Sequence, residues 1–69
     1  MEDCKGKSSW PELVGTSGEA AAAKIEEENP LVFALMQRDG IPQTGDFRCD
    51  RVRVLVDDSW FVVSTPVIG

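Results

Sequence analysis

The chain has 69 residues, a length that allows one domain with a small core. Its net charge of −5 argues against nucleic acid and anionic membrane surfaces as partners, because both are bound through basic patches. The absence of histidine excludes Ser-His and Cys-His catalytic pairs, and two cysteines alone do not complete a four-ligand zinc site. We therefore expect no enzymatic activity, no cofactor and no metal.

The two cysteines, Cys4 and Cys49, leave two interpretations open at this point. A disulfide between them stabilises so short a chain by about 4 kcal/mol in the chain-entropy model, and two independent free thiols are the alternative. A bridge favours an oxidising compartment. The N-terminal residues lack the apolar segment of a signal peptide, so we expect a cytosolic protein or a mature form without its leader.

The first regular element is a helix predicted within TSGEAAAAKIEEENP, residues 16–30. Ser17 is a good N-cap, and Thr16 with Glu19 also fits a capping box. The alanine run has high helix propensity, and the Asn-Pro pair at 29–30 ends the helix. The glutamates at 26–28 are expected to form a solvated face, since such charge runs usually do.

Trp10 precedes this helix, in a turn-rich segment. A contact with a partner and a core position beneath the helix are its two interpretations, and the size of the side chain favours the core.

Three strands follow the helix. LVFALMQ at residues 31–37 is apolar on both faces and predicts the first strand. CDRVRVLVD at 49–57 predicts the second, whose alternation places Val52, Val54 and Val56 on one face and Arg51, Arg53 and Leu55 on the other. FVVSTPVIG at 61–69 predicts a short third strand, which Pro66 restricts to an edge or ends. The connection between the first two strands is about a dozen residues without a helical pattern, and such loops in compact domains are usually functional.

Several short motifs occur together along the chain: WPELVG at 10–15, NP at 29–30, Gly40, DFRCDRVRV at 46–54 and TPVIG at 65–69. In this combination the sequence resembles the potato inhibitor I family of plant serine protease inhibitors, and its cysteine-bearing branch in particular. The resemblance implies an α+β fold, in which one helix packs on a small mixed sheet and a long exposed binding loop joins two parallel strands. It also implies a single inhibitor domain over residues 1–69, a binding loop at about residues 40–48, and a disulfide between Cys4 and Cys49.

The same resemblance implies a functional site in this loop. The reactive bond joins Gly45 to Asp46, and Arg51 and Arg53 support the loop by holding the side chains of Thr44 and Asp46. Their position on one strand face is consistent with this role, and ordinary solvated arginines are the alternative. The implied protease-contacting residues are Pro42, Gln43, Thr44, Gly45, Asp46, Phe47 and Arg48.

Gly45 departs from the family pattern, in which larger side chains fill the primary pocket of the protease. Glycine fills no pocket and is conformationally freer. We therefore expect weak inhibition of trypsin and chymotrypsin, with subtilisin-like or elastase-like serine proteases as the better targets. The resemblance itself implies a role in plant defence or the wound response. The alternative is a non-inhibitory protein-interaction module on the same scaffold.

Two further departures concern apolar surface. Trp60 stands in a turn where many relatives have glycine or asparagine, and it is either packed on a strand or exposed. Leu31, Phe33, Leu35 and Leu55 make the outer face of the sheet more apolar than the family function needs. Exposed apolar patches can be interaction sites, so weak self-association is a hypothesis, and partial covering by arginine stems is the alternative.

Overall fold

The computed structural model describes residues 4–42 and 45–69. The helix, α1, spans Gly18–Glu28, after a short 3₁₀ turn at Pro11–Leu13. Ser17 is confirmed as the N-cap, because its Oγ accepts a hydrogen bond from the Ala20 amide at 3.1 Å. The capping box at Thr16 is wrong, since the Thr16 hydroxyl donates instead to the Leu13 carbonyl at 2.6 Å.

Three strands form one mixed sheet in the order β1-β2-β3: β1 is Phe33–Arg38, β2 is Arg51–Val56 and β3 is Val67–Ile68. β1 and β2 are parallel, and β2 and β3 are antiparallel. The predicted α+β fold is therefore confirmed. No helix among the described residues is long and apolar enough to cross a membrane.

The strand boundaries differ from the prediction, and β2 is shorter than the predicted 49–57 at both ends. β1 starts two residues late because Asn29 holds the chain in a turn, accepting from the Leu31 amide at its side chain and from the Val32 amide at its carbonyl. The third predicted strand keeps its regular ladder only at Val67–Ile68, with an isolated bridge between Val56 and Val62. Between these parts lies Pro66, which cannot donate to a ladder and whose carbonyl accepts from the Trp10 amide.

The core lies between α1 and the inner face of the sheet. Trp10 is fully buried there, which confirms its predicted position. The helix lies close to the sheet at Gly18, where a Cβ would come within 2.5 Å of Met36 Sδ and 2.7 Å of Val56 Cγ1. The other buried apolar residues are Leu13, Ala21, Ile25, Val32, Val52, Val54, Val62 and Ile68.

The glutamates at 26–28 are all exposed, which confirms the expected solvated face, but two of them also accept hydrogen bonds that the sequence does not predict. Glu28 accepts from the buried indole Nε1 of Trp10 at 2.9 Å and from Lys7 Nζ at 2.9 Å. Glu26 accepts from the main-chain amide of Ala34 in β1 at 2.9 Å. The end of the helix is therefore bound to both the N-terminal segment and the sheet.

Trp60 and the apolar residues on the outer face of the sheet are at least partly exposed. Trp60 is 53% exposed and has a φ of 67°, in the left-handed region that glycine and asparagine tolerate best. Leu31 and Phe33 are also exposed, at 61% and 48%, whereas Leu35 is half-buried.

Candidate functional site

The long connection from β1 to β2 leaves one end of the sheet and returns to the other, because the two strands are parallel. It begins with a reversal at Gly40, whose φ of 90° is strained for any residue with a side chain. The Asp39 amide donates to the Val56 carbonyl at 2.8 Å, so the loop leaves from a fixed point. Gln43 and Thr44, which the sequence predicts to contact the protease, lie outside the described residues, as does the predicted support of Thr44.

The described residues at the centre of the loop are exposed to solvent. Gly45, Asp46 and Arg48 are exposed, and Phe47 is 61% exposed beside the C-terminal Gly69. A Cβ added to Gly45 would have no atom of the described residues within 4 Å, apart from its chain neighbours. A side chain at position 45 would therefore extend from the protein into solvent.

Arg51, in β2, holds the loop through two hydrogen bonds to main-chain carbonyls. Its Nη2 donates to the Asp46 carbonyl at 2.9 Å, and its Nε donates to the Gly69 carbonyl at 2.7 Å. Its side chain is only 10% exposed, which reduces solvent screening of these charge-assisted bonds. The Gly69 amide in turn donates to the Arg51 carbonyl, so the C-terminal residue belongs to the same network.

A second arginine reaches the same loop residue. The Asp46 carboxylate lies 3.4 Å from Arg51 Nη1 and 3.7 Å from Arg53 Nη2. Both guanidinium groups come from one face of β2, as the alternation predicts, but they are largely buried rather than solvated. The interpretation of Arg51 and Arg53 as ordinary surface residues is therefore wrong.

A disulfide fixes the far end of the loop. Cys4 and Cys49 are bonded, with an S–S distance of 2.01 Å, so the free-thiol interpretation is wrong. The N-terminal segment that carries Cys4 is itself held, because Asn29 Nδ2 donates to the carbonyls of Lys5 and Lys7 at 3.0 and 2.9 Å. The loop is therefore connected to the end of α1 through the N-terminal segment.

Sequence reasoning missed Asp50, which fixes a loop side chain. Arg48 makes a two-point contact with the Asp50 carboxylate, Nε to Oδ1 at 2.9 Å and Nη2 to Oδ2 at 3.0 Å. The hydrogen bond from Arg48 lowers the pKa of Asp50, and the same bond raises the pKa of Arg48. The R-C-D spacing was the available signal, because it places opposite charges two residues apart in the chain.

The structure thus defines a class of molecule: a small sheet and helix that present an exposed segment held from below by buried arginines and a disulfide. The sequence matches the Potato inhibitor I family over residues 2–69. A Momordica charantia protein named "Glu S.griseus protease inhibitor" is 58% identical, covering 96% of this chain and 97% of that protein. The Cucurbita maxima "inhibitor of trypsin and hageman factor" is 54% identical over 96% and 97%.

A solved structure of bitter gourd trypsin inhibitor is also similar, with a TM-score of 0.95 and 54% identity over 99% of this chain and all of that one. The chain therefore belongs to the potato inhibitor I family. The family and these relatives are protease inhibitors, which confirms the prediction of an inhibitor rather than an enzyme.

Proposed function

We propose that this chain is a single inhibitor domain, residues 1–69, that inhibits serine proteases through residues 40–48, with Gly45–Asp46 as the reactive bond. The observation that carries the proposal is the bond from Arg51 to the Asp46 carbonyl, which holds the main chain just after that peptide bond. An extended segment in a protease cleft pairs with the enzyme through its main chain, and a segment already ordered avoids the entropic cost of binding.

The same contacts account for inhibition instead of digestion. Cleavage of the Gly45–Asp46 bond transfers Gly45 to the enzyme as an acyl group and releases the amine of Asp46. Arg51 and Arg53 contact Asp46, so the new amine stays close to the acyl carbon and can attack it again. Groups held at such short range react with effective concentrations of about 10⁵ M or more, which favours religation over hydrolysis.

The target preference follows from the absent side chain at Gly45. A primary pocket built for a large or charged group gains nothing from glycine, and the residue in that pocket is commonly a binding hot spot. Subtilisin-like or elastase-like enzymes, which bind the flanking residues, are therefore the proposed targets. An Amaranthus caudatus relative, 53% identical, is named "trypsin/subtilisin inhibitor", which supports a serine protease partner.

A role in plant defence or the wound response is part of the proposal. It rests on similarity to a Solanum peruvianum protein, 47% identical, that is named "wound-induced proteinase inhibitor 1".

The test compares wild type, Gly45→Ala and Gly45→Lys against trypsin, chymotrypsin, elastase and subtilisin. Lysine at position 45 should strengthen trypsin inhibition by about 30-fold or more, the equivalent of one hot-spot residue of about 2 kcal/mol. Alanine is the matched control, because it reduces main-chain freedom without reaching the base of the trypsin pocket, and it should leave trypsin inhibition weak.

Two results would contradict parts of this proposal. Nanomolar inhibition of trypsin by the wild-type chain would refute the target preference. A folded Gly45→Lys variant that inhibits none of the four enzymes would refute the reactive bond, and a non-inhibitory interaction module would then describe the chain better.

A further inference from the structure

The strand β1 is an edge of the sheet, because the strand order is β1-β2-β3. Its sequence, FALMQR, carries one charge and no proline or glycine, and two further apolar residues precede it. Edge strands of this composition readily pair with another chain unless a charge, a bulge or a covering group prevents it. The question is therefore what keeps this edge closed.

The direction of the main-chain groups identifies the exposed side of β1. The amides of Phe33 and Asp39 donate to the carbonyls of Asp50 and Val56, next to and at the end of β2. Because a strand alternates its hydrogen-bonding direction, the amides of the residues with even numbers, 34, 36 and 38, point away from β2. These amides form the outer edge.

One carboxylate from the helix covers part of this edge. Glu26 Oε2 accepts from the outward amide of Ala34 at 2.9 Å, and Glu26 is an exposed residue near the end of α1. The neighbouring Glu27 has the same charge and is 74% exposed at its side chain, but its carboxylate faces Lys24 instead, at 3.7 Å. Covering of the β1 edge by a carboxylate is therefore specific to Glu26 and does not extend to the neighbouring Glu27.

We propose that the outer edge of β1 is a pairing surface for a second copy of this chain, and that Glu26 keeps it closed. Antiparallel pairing about Met36 places the two Met36 residues opposite each other and Ala34 opposite Arg38 of the second copy. The second copy then replaces Glu26 as the partner of the Ala34 amide. The displaced Glu26 carboxylate acquires Arg38 of the second copy as a neighbour of opposite charge.

The surface beside this edge favours the same partner. The side chains of Phe33 and Leu35 lie on the outer face of β1, and a symmetric copy continues that apolar face across the junction. The strand carries only the positive charge of Arg38, so two β1 strands meet without placing like charges directly opposite one another. Pairing at this edge uses no residue of the proposed inhibitory loop, and the one group that the two share is the Arg38 carbonyl, which also accepts from the Ile41 amide at 3.4 Å.

The experiment measures self-association of Glu26→Ala, with Glu27→Ala as the matched control, by sedimentation equilibrium from about 10 μM to about 1 mM. Glu26→Ala should form a dimer with a dissociation constant at least about tenfold lower than that of wild type. Glu27→Ala should behave as wild type does, although it loses the same charge. Equal association of the two variants, or none by a folded Glu26→Ala variant, would overturn the proposal.

Two additional proteins locate the interface. Glu26→Gln keeps a side-chain oxygen that can accept from Ala34, so it should associate no more than wild type. Glu26→Ala prepared by chemical synthesis with an N-methylated amide at Met36 keeps every side chain but cannot pair at the centre of the edge. It should be monomeric over the same range, and a dimer that survives this methyl group would refute the edge as the interface.

Discussion

Replacing Arg51 with lysine tests whether the inhibitory loop is held from below. The two strongest contacts of Arg51 use different atoms: Nε reaches Gly69 and Nη2 reaches Asp46. The Cε of lysine occupies the position of Nε and cannot donate, and its Nζ occupies roughly the position of the guanidinium carbon, one bond short of Nη2. Lysine should therefore lose both the Nε donor to Gly69 and the Nη2 donor to the Asp46 carbonyl.

Both lost bonds are charge-assisted, and such bonds contribute about 1.5–3 kcal/mol each. The low exposure of Arg51 leaves this range without a large discount for solvent screening. If the bond to Asp46 orders the loop, the inhibition constant should rise by about 10- to 150-fold. The free energy of unfolding should fall as well, by about 1.5–3 kcal/mol or more, because the folded state loses these bonds too.

The assay uses trypsin and the Gly45→Lys background, in which inhibition is expected to be measurable, together with urea unfolding of the same proteins. Arg38→Lys is the matched control, since Arg38 is exposed and pairs with Asp58. It should change the inhibition constant by less than about twofold. A change in the inhibition constant of less than about threefold for a folded Arg51→Lys variant would refute the reasoning.

Two further predictions concern the scaffold. Gly18→Ala should lower the free energy of unfolding by up to about 2 kcal/mol in urea, because overpacking against Met36 and Val56 exceeds the gain in helix propensity; a more stable variant would contradict this. The hydrogen bond from Lys7 lowers the pKa of Glu28 below its ordinary 4.5. The ionised carboxylate therefore stabilises the fold above pH 4.5, and this stabilisation is lost as the pH falls through the pKa of Glu28 in the folded state. Urea unfolding from about pH 7 to about pH 2 should therefore show a smaller acid loss for Lys7→Met than for wild type, and identical slopes would contradict the assignment.

The alternation of β2 was predictable because two different kinds of residue follow a period of two. Val52 and Val54 are fully buried, and Arg51 and Arg53 occupy the other face, as the sequence indicates. Periodicity does not predict what packs against the face that carries Arg51 and Arg53. Whether an arginine there meets solvent or Asp46 depends on a loop that returns from β1, and only the resemblance supplied this contact.

The acidic end of the helix shows a different limit. Glu26, Glu27 and Glu28 are chemically identical, yet they contact a strand amide, a lysine and a buried indole, respectively. Successive helical residues differ in direction by about 100°, so their partners depend on what packs beside each of them. The sequence therefore predicts the charge of this segment but not which carboxylate accepts which hydrogen bond.

Trp60 was unpredictable for a reason of local energetics. A left-handed φ costs a residue with a side chain about 1–2 kcal/mol, so tryptophan is a poor choice there. The surrounding bonds determine the conformation: the Asp57 carboxylate accepts from the amides of Ser59 and Phe61, and the Trp60 carbonyl accepts from Gly18. The hydrogen bonds of Asp57 and Gly18 thus fix the turn, and none of these bonds uses the side chain of Trp60. A residue other than glycine can therefore occupy position 60, although its left-handed φ lowers the stability of the fold.

The same separation applies to the inhibitory loop. Its support comes from Arg51, Arg53 and the disulfide at Cys49, all of which lie after the proposed reactive bond in the chain. None of the described contacts uses a side chain at position 45, because glycine has none. Under the proposed function, residue 45 can therefore change the protease that is recognised without changing what holds the loop. We accordingly expect the glycine to weaken selection by the primary pocket and to leave the support of the loop in place.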